Sequence, residues 1–226
     1  MTPERFNRIS TVLRKRQPDL TVITDEVHKP RNLAAIVRNC DAVGIDEVHA
    51  VVPATGFQIY SGTSASAEKW VDVNYYEDVN APIRNLKAKG FQLVTANLSA
   101  DALDYRSIDY TQPTALLMGA EVKGVSADAA KAADHQVVLP MLGMVESYNV
   151  SVASALILAE AQTQREKAGL YERNRLPKAR YDLLFFRWAH PVLAKFCDDN
   201  DIPYPPVRED GEVINLSKWY AAASKS

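Results

Sequence analysis

Apolar residues follow two periodicities that alternate along the first 170 residues of the chain. Short apolar runs, typical of buried strands, alternate with segments in which apolar residues recur every three to four positions, as in helices. Strands are predicted at 20–23, 47–52, 69–75, 91–96, 114–118 and 136–139, and helices at 2–17, 30–43, 77–89, 126–133 and 147–168. Because parallel strands need crossover connections, this alternation predicts an α/β fold, a mostly parallel sheet with helices on both faces.

The pattern weakens beyond Gly169. Helices are predicted at 181–188 and 191–197, and Asp210-Gly211 marks a turn. We therefore expect three segments: an N-terminal helix at 1–19, a central α/β domain at 20–169 and a C-terminal extension at 170–226.

Composition places the chain among folded proteins. Of its 226 residues 47% are hydrophobic and 24% are charged, which is ordinary for a globular protein and excludes wholesale disorder. No apolar stretch approaches the roughly 20 residues that span a bilayer, and the chain starts without an apolar signal core. Cys40 and Cys197 lie far apart, which predicts neither a disulfide framework nor a cysteine metal site. We expect a soluble, cytoplasmic protein without a membrane partner.

The net charge of −2 argues at first against a nucleic-acid partner. Resolved along the chain, however, residues 1–31 and 160–187 each hold seven basic and four acidic residues, whereas 32–159 holds eight basic and fourteen acidic residues. Two basic segments thus flank an acidic middle, and a local surface for an anionic ligand is compatible with the negative total. The alternative is that these cations simply coat two solvated helices.

The stretch at 27–44 combines an amide and a cation on one predicted helix. Asn32 lies at the helix start, where unpaired backbone amides favour anions, and Arg38 follows six residues later. Taken alone, the stretch favours a structural explanation, in which Asn32 makes local hydrogen bonds and Arg38 is a surface cation.

Glycine and small polar residues mark two further stretches. At 116–125 a strand runs into Gly119, with Gly124 five residues on; glycine lets a ligand approach the backbone closely, but the spacing matches neither a dinucleotide-binding nor a Walker loop. Glu121 would orient a catalytic arginine or be a loop acid, and spacing leaves both open. At 139–162 serine and asparagine crowd the start of an alanine-rich helix, as a well-capped core helix also requires.

Together and in this order, the three stretches resemble the motifs of the SpoU, or TrmH, branch of the SPOUT RNA methyltransferases. The matching segments read VHKPRNLAAIVRNCDAVG, LLMGAEVKGV and LPMLGMVESYNVSVASALILAEAQ. The resemblance covers residues 3 to about 175 and is closest to the members that methylate the ribose 2′-hydroxyl of guanosine 18 in the D-loop of tRNA. It implies that 20–169 forms a deep trefoil knot at its C-terminal part and that the protein is a homodimer.

The resemblance also implies the ligands and the site residues. S-adenosyl-L-methionine would donate the methyl group, tRNA rather than DNA would be the partner, and no metal is needed. Arg38 would hold the substrate phosphate and stabilise the developing alkoxide, since a guanidinium keeps its proton near neutral pH, while Asn32 and Glu121 would position it. The expected cofactor contacts are Ala96, Gly119, Leu139, Met141, Gly143, Ser147, Tyr148 and Asn149. The expected RNA contacts are Arg8, Arg14, Lys15, Arg16, Arg165, Lys167 and Arg173.

Four positions depart from the family pattern: Arg31 stands where histidine is usual, Glu146 where glutamine is common, Tyr148 in place of leucine, and Thr163 where an RNA-facing arginine is frequent. Three alternatives stay open: a 2′-O-methyltransferase for another tRNA or rRNA nucleotide, a non-catalytic RNA-binding protein that retains the knot, and a generic nucleotide-binding α/β protein. The joint presence of the motif residues argues against loss of catalysis.

Overall fold

The structure, a computed structural model, describes residues 1–52, 69–97, 99, 101–120 and 123–223. They form two compact units: Gln17–Tyr171 is one, and Met1–Arg16 together with Glu172–Ser226 is the other. The N-terminal helix and the C-terminal extension, which the sequence presents as separate segments, therefore belong to the same unit. None of the helices within the described ranges is both long enough and apolar enough to cross a membrane.

The larger unit is built on a seven-stranded sheet. Its strands are β1 Leu20–Asp25, β2 Glu47–Val51, β3 Asp72–Tyr76, β4 Gln92–Ala96, β5 Leu103–Asp104, β6 Thr114–Gly119 and β7 His135–Val138. They lie in the order β3-β2-β1-β6-β4-β7-β5, and every neighbouring pair is parallel.

Eight α-helices complete the described chain: α1 Pro3–Arg14, α2 Pro30–Ala42, α3 Asn80–Ala88, α4 Ala127–Ala132, α5 Val150–Lys167, α6 Lys178–Ala189, α7 Pro191–Asp199 and α8 Leu216–Ala223. In the larger unit, α2 and α5 contribute to one hydrophobic cluster, whereas α3 and α4 contribute to another.

These two clusters lie on opposite faces of the sheet. Val22 of β1 and Leu116 of β6 belong to the first cluster, and their neighbours in sequence, Ile23 and Leu117, belong to the second. Because successive side chains of a strand point to opposite faces, helices cover the sheet on both sides. The predicted α/β fold with a parallel sheet is confirmed.

The smaller unit is helical and is held together by aromatic side chains. The rings of Phe6 on α1 and Phe185 on α6 meet edge to face with centroids 5.6 Å apart. Arg5 donates a hydrogen bond from Nη2 to the carbonyl oxygen of Trp188 at 2.8 Å, and the guanidinium of Arg16 lies 5.0 Å from the centre of the Trp188 ring. These contacts join the first sixteen residues to the C-terminal extension.

The structure differs from the predicted elements at β5 and α8, which the sequence pattern does not predict, and at β3 and α5, which begin later than predicted. Strand β5 was not predicted, because it has only two residues and Leu103 is exposed, so that no apolar run marks it. Helix α5 begins at Val150 rather than at Ser147, because Asn149 has extended backbone angles and its side chain accepts a hydrogen bond from the amide of Ser151. The amide side chain thus acts as the helix cap.

Candidate active site

A cavity of about 320 Å³ opens at the carboxyl edge of the sheet. Ala96 ends β4, Gly119 ends β6 and Val138 ends β7, and these three adjacent strands all contribute to its lining. The segment after β7 and the first turn of α5 close the cavity through Leu139 and Val150, among others. Ligands of open α/β sheets bind at this edge.

The cavity brings together most of the residues expected to contact a cofactor. Six of them line it: Ala96, Gly119, Leu139, Met141, Ser147 and Tyr148. The remaining two, Gly143 and Asn149, are not among its lining residues. A Cβ added to Gly143 would meet no atom within 4 Å, and Asn149 serves as the cap of α5.

The loop after β6 closes on itself at one wall of the cavity. The amide of Ala120 donates to the carbonyl oxygen of Gly124 at 2.9 Å, and the amide of Gly124 donates back at 2.8 Å. A Cβ at Gly119 would overlap the backbone of Gly124 and Val125, and Gly124 has a φ of 67°. Both positions therefore need glycine. Glu121, predicted to orient the catalytic arginine, lies outside the described residues.

Polar side chains that the sequence analysis did not assign to the site also line the cavity. Asn97 directly follows β4, Lys123 directly precedes Gly124, and Glu146 directly precedes Ser147. The position of Asn97 after a buried strand was a usable signal, since the carboxyl ends of parallel strands meet at one edge. Glu146 departs from the family pattern, and its residue type alone does not predict a cavity contact.

Helix α2 is joined to the start of α5 by two asparagines. Asn149 donates from Nδ2 to Oδ1 of Asn32 at 3.3 Å, and Asn39 donates from Nδ2 to the carbonyl oxygen of Ser151 at 2.9 Å. Asn149 Oδ1 in turn accepts from the Ser151 hydroxyl at 2.6 Å. Residues more than a hundred positions apart in sequence thus meet beside the cavity-lining residues Ser147 and Tyr148.

Arg38 lies on the solvent-exposed side of α2. Six residues turn an α-helix by about 600°, so that Arg38 points roughly 120° away from Asn32 around the helix axis. Within the described part of the chain it forms no ion pair. Its guanidinium is therefore available to an external anion.

The residues expected to bind RNA divide into exposed and buried sets. Exposed are Arg8, Arg14, Lys15, Lys167 and Arg173. Arg16 and Arg165 have no exposed surface, which does not fit the RNA contacts predicted for them. Arg16 packs against Trp188.

Arg165 is hydrogen-bonded within the larger unit. It donates to Oδ1 of Asp19 at 2.7 Å, to Oε1 of Gln17 at 3.0 Å, and to the carbonyl oxygens of Asp19, Tyr110 and Gln112. The side chain ties the end of α5 to the start of β1 and to the segment before β6, and no RNA phosphate reaches it in this arrangement.

Comparisons with known proteins agree with this fold. The sequence profile of the SpoU rRNA Methylase family matches residues 19–159, and that of the SpoU rRNA methylase C-terminal region matches residues 163–216. A tRNA (guanosine(18)-2'-O)-methyltransferase of Escherichia coli K12 is 45% identical over 98% of this chain and 97% of its own length.

Solved structures agree with the sequence matches. A TrmH/SpoU tRNA modifying enzyme of A. aeolicus superposes with a TM-score of 0.78 at 38% identity, over 84% of this chain and 97% of that one. The SpoU methyltransferase AviRb of Streptomyces viridochromogenes, in complex with the cofactor AdoMet, has a TM-score of 0.60 at 25% identity, over 68% of this chain and 62% of that one.

A parallel α/β sheet with a glycine-lined cavity at its carboxyl edge defines the class as ligand-binding α/β proteins. Within that class, the match over more than half of its residues shows that the chain belongs to the SpoU rRNA methylase family.

Proposed function

We propose that the protein transfers a methyl group from S-adenosylmethionine to the ribose 2′-hydroxyl of guanosine 18 in tRNA, in the cytoplasm. The observation that carries the proposal is the cavity at the ends of β4, β6 and β7, lined by residues of the second and third family motifs and adjoining the Asn32 of the first. The relative that matches nearly the whole chain bears this activity in its name.

The cavity fits the cofactor. It has a volume typical of small-molecule sites and combines apolar walls with backbone groups left open by glycine. Met118, Leu139 and Ala153 would form apolar walls around the ligand, and the backbone near Gly119 would approach it closely. When bound, S-adenosylmethionine would supply a methyl group made electrophilic by the positive sulfonium; S-adenosylhomocysteine would leave, and the hydroxyl proton would pass to water.

Two side chains of α2, Arg38 and Asn32, bind and orient the substrate. Arg38, exposed and without an ion pair among the described residues, holds the phosphate next to the target ribose and stabilises the developing alkoxide. Asn32 is held by Asn149 and orients the ribose or Arg38. Placing the hydroxyl in line with the methyl group is the main contribution to rate, because proximity and orientation replace a bimolecular encounter.

The protein acts as a homodimer. An exposed apolar surface, here called the apolar patch, supports this: it consists of Leu142, Met144, Val145, Val152 and Leu156. Leu142 and Met144 are fully exposed, which is unusual for large aliphatic side chains that lie close together in sequence. A second copy of the same surface would cover them, as in two-fold symmetric dimers.

The sheet domain is knotted in its C-terminal part. Strand β7 lies between β4 and β5, both of which precede it in the chain, and the segment after β7 then lines the cavity at the ends of β4 and β6. Strand β7 is therefore inserted between two strands that come earlier in the chain. Passage of the chain through a loop requires such an insertion.

The RNA contacts come from the exposed members of the predicted set. Arg8, Arg14 and Lys15 in and after α1 and Lys167 and Arg173 near the end of α5 carry positive charge at the surface. Phosphate contacts of this kind position RNA without reading its sequence. Affinity should therefore fall steeply with salt.

The activity is tested by incubating the protein with methyl-labelled S-adenosylmethionine and unmodified tRNA, followed by mass-spectrometric mapping. We expect 2′-O-methylguanosine at position 18, and no label in a matched tRNA that carries 2′-deoxyguanosine there. Label at another nucleotide, or none on any RNA, would contradict the proposal.

The role of Arg38 is tested in the same assay. Because Arg38→Ala removes a charge that stabilises the transition state, we expect transfer to slow by about 100- to 1,000-fold. Cofactor affinity, measured by calorimetry, should stay the same. Arg84→Ala, an exposed arginine on α3, is the matched control and should retain full activity.

A further inference from the structure

Helix α2 has two polar faces with different tasks. Asn32 and Asn39 lie seven residues apart, which is about two helical turns, and therefore share one face. Both hydrogen-bond to the start of α5, through Asn149 and Ser151. The amides of this face fix α2 against the start of α5.

The second polar face carries arginine. Arg31 and Arg38 are also seven residues apart and are both exposed, about 10 Å from each other along the helix axis. The residues on this stripe between and beyond them are Ala35 and Ala42, whose small side chains leave the surface open. The two guanidiniums are thus separated by an uncharged part of the α2 surface that carries only small side chains.

Within the described part of the chain, both arginines carry charge that no acidic side chain offsets. Among the described residues, no acidic side chain pairs with Arg31 or Arg38, and the first turn of α2 contains no acid. Two such cations lie at the same angle around the helix axis. This arrangement favours binding of a ligand that carries negative charges at regular intervals. The sugar-phosphate backbone of RNA has that character.

Arg31 lies at the end of α2 that adjoins the cavity. Its neighbour Asn32 accepts a hydrogen bond from Asn149, and Ser147 and Tyr148 just before Asn149 line the cavity. Arg38 lies two turns further along the helix. A strand of RNA that lies along α2 with its ribose near the cavity would therefore pass both guanidiniums.

We propose that Arg31 binds a second RNA phosphate, so that Arg31 and Arg38 hold the backbone on the two sides of the ribose to be methylated. The inference rests on the proposed function. A guanidinium presents two parallel N–H donors to phosphate oxygens, which fixes direction as well as affinity. Arg31 is thereby a substrate-binding residue, and its contribution is to hold tRNA rather than to speed the transfer.

The experiment measures tRNA affinity of wild type and Arg31→Ala between 50 and 200 mM salt, with S-adenosylhomocysteine bound so that no turnover occurs. Losing one phosphate contact lowers the magnitude of the slope of log affinity against log salt by about 0.7–0.9. The ratio of wild-type to variant affinity should therefore decrease by about threefold as salt rises from 50 to 200 mM. In steady-state assays KM for tRNA should rise while kcat at saturating tRNA stays unchanged. Arg31→Lys keeps the charge and should restore the slope.

Arg84→Ala is again the control, because it removes one exposed arginine from α3, on the opposite face of the sheet. It should leave slope and KM at wild-type values. A slope for Arg31→Ala equal to that of this control, or a fall in kcat without a change in KM, would overturn the inference. If wild type methylates no tRNA, the proposed function fails and takes the inference with it.

Discussion

Arg165 donates to five acceptors and has no exposed surface, so that one buried side chain ties the end of α5 to the start of β1 and to the segment before β6. One of its acceptors is the Asp19 carboxylate, at 2.7 Å, and this pair is largely withdrawn from water. Removing one partner of such a pair leaves an unpaired charge and unpaired carbonyl groups. The residue therefore belongs to the stability of the fold.

Arg165→Ala should lower the free energy of unfolding by about 3–5 kcal/mol, because it removes the ion pair with the largely buried Asp19 carboxylate and four further hydrogen bonds. Urea denaturation followed by circular dichroism measures the change. Lys167→Ala, two residues on and exposed, should change stability by less than about 0.5 kcal/mol. An equal loss of unfolding free energy in both variants would contradict a structural role for the buried Arg165 side chain.

The burial of Arg165 was predictable, since it falls on a regular stripe. Ile157, Leu158 and Ala161 are buried on α5, and Arg165 continues their spacing of three to four residues. The burial of Arg16 had no such signal, because its partner Trp188 lies far away in sequence. Charge alone assigned both residues to the surface.

At the scale of elements, β2 and β3 bury a histidine near one edge of the sheet. His49 is 1% exposed and its Nδ1 lies 3.1 Å from the hydroxyl of Tyr76, while Nε2 lies 3.3 Å from Glu47. Burial, and secondly the positive charge of Lys89, lower the pKa of His49 to about 4. The imidazole is neutral in the folded protein at neutral pH.

This lowered pKa predicts acid sensitivity. The unfolded chain takes up a proton at His49 below its ordinary pKa near 6.5, and the folded protein does so only near 4. The contribution of neutral His49 to the free energy of unfolding is therefore fully present above pH 6.5. It should fall by up to about 3 kcal/mol as the pH drops from 6.5 to 4. Urea denaturation across this range measures it.

His49→Gln cannot titrate and should flatten that part of the profile. His28→Gln, at an exposed histidine, is the control and should leave the profile unchanged. An unaltered profile in His49→Gln would assign the acid sensitivity to other groups.

The bounds of most elements followed from periodicity, but their neighbours in the sheet did not. The apolar run at 114–118 identified β6, yet its position between β1 and β4 follows from side-chain packing across the sheet. Likewise β7 pairs with β4 and with the two residues of β5. Strand order depends on contacts between distant segments, which a local pattern does not contain.

At the scale of the molecule, the apolar patch predicts association. Val152 and Leu156 lie one turn apart on α5 and are exposed, as are Leu142 and Met144 of the segment that precedes this helix in the chain. A charge in the middle of such an interface would be buried without a partner, at a cost of several kcal/mol. Substitution there should therefore separate the subunits.

Analytical ultracentrifugation should give wild type a mass of twice the 25.1 kDa of one chain. Val152→Glu should shift the mass to that of one chain. Val192→Glu, at an exposed valine of α7 outside the patch, is the matched control and should stay dimeric. A Val152→Glu protein that keeps the wild-type mass would place the contact elsewhere.

The sequence by itself determined the alternation of strands and helices, the three motifs and the glycines of the β6 loop, because each depends on neighbouring residues or on spacing within one element. Only the tertiary structure decided that Asn32 meets Asn149, that Lys123 lines the cavity, and that Arg16 is buried against Trp188. These facts depend on which distant segments pack together, and that choice is made by the summed burial of the whole sheet and its helices.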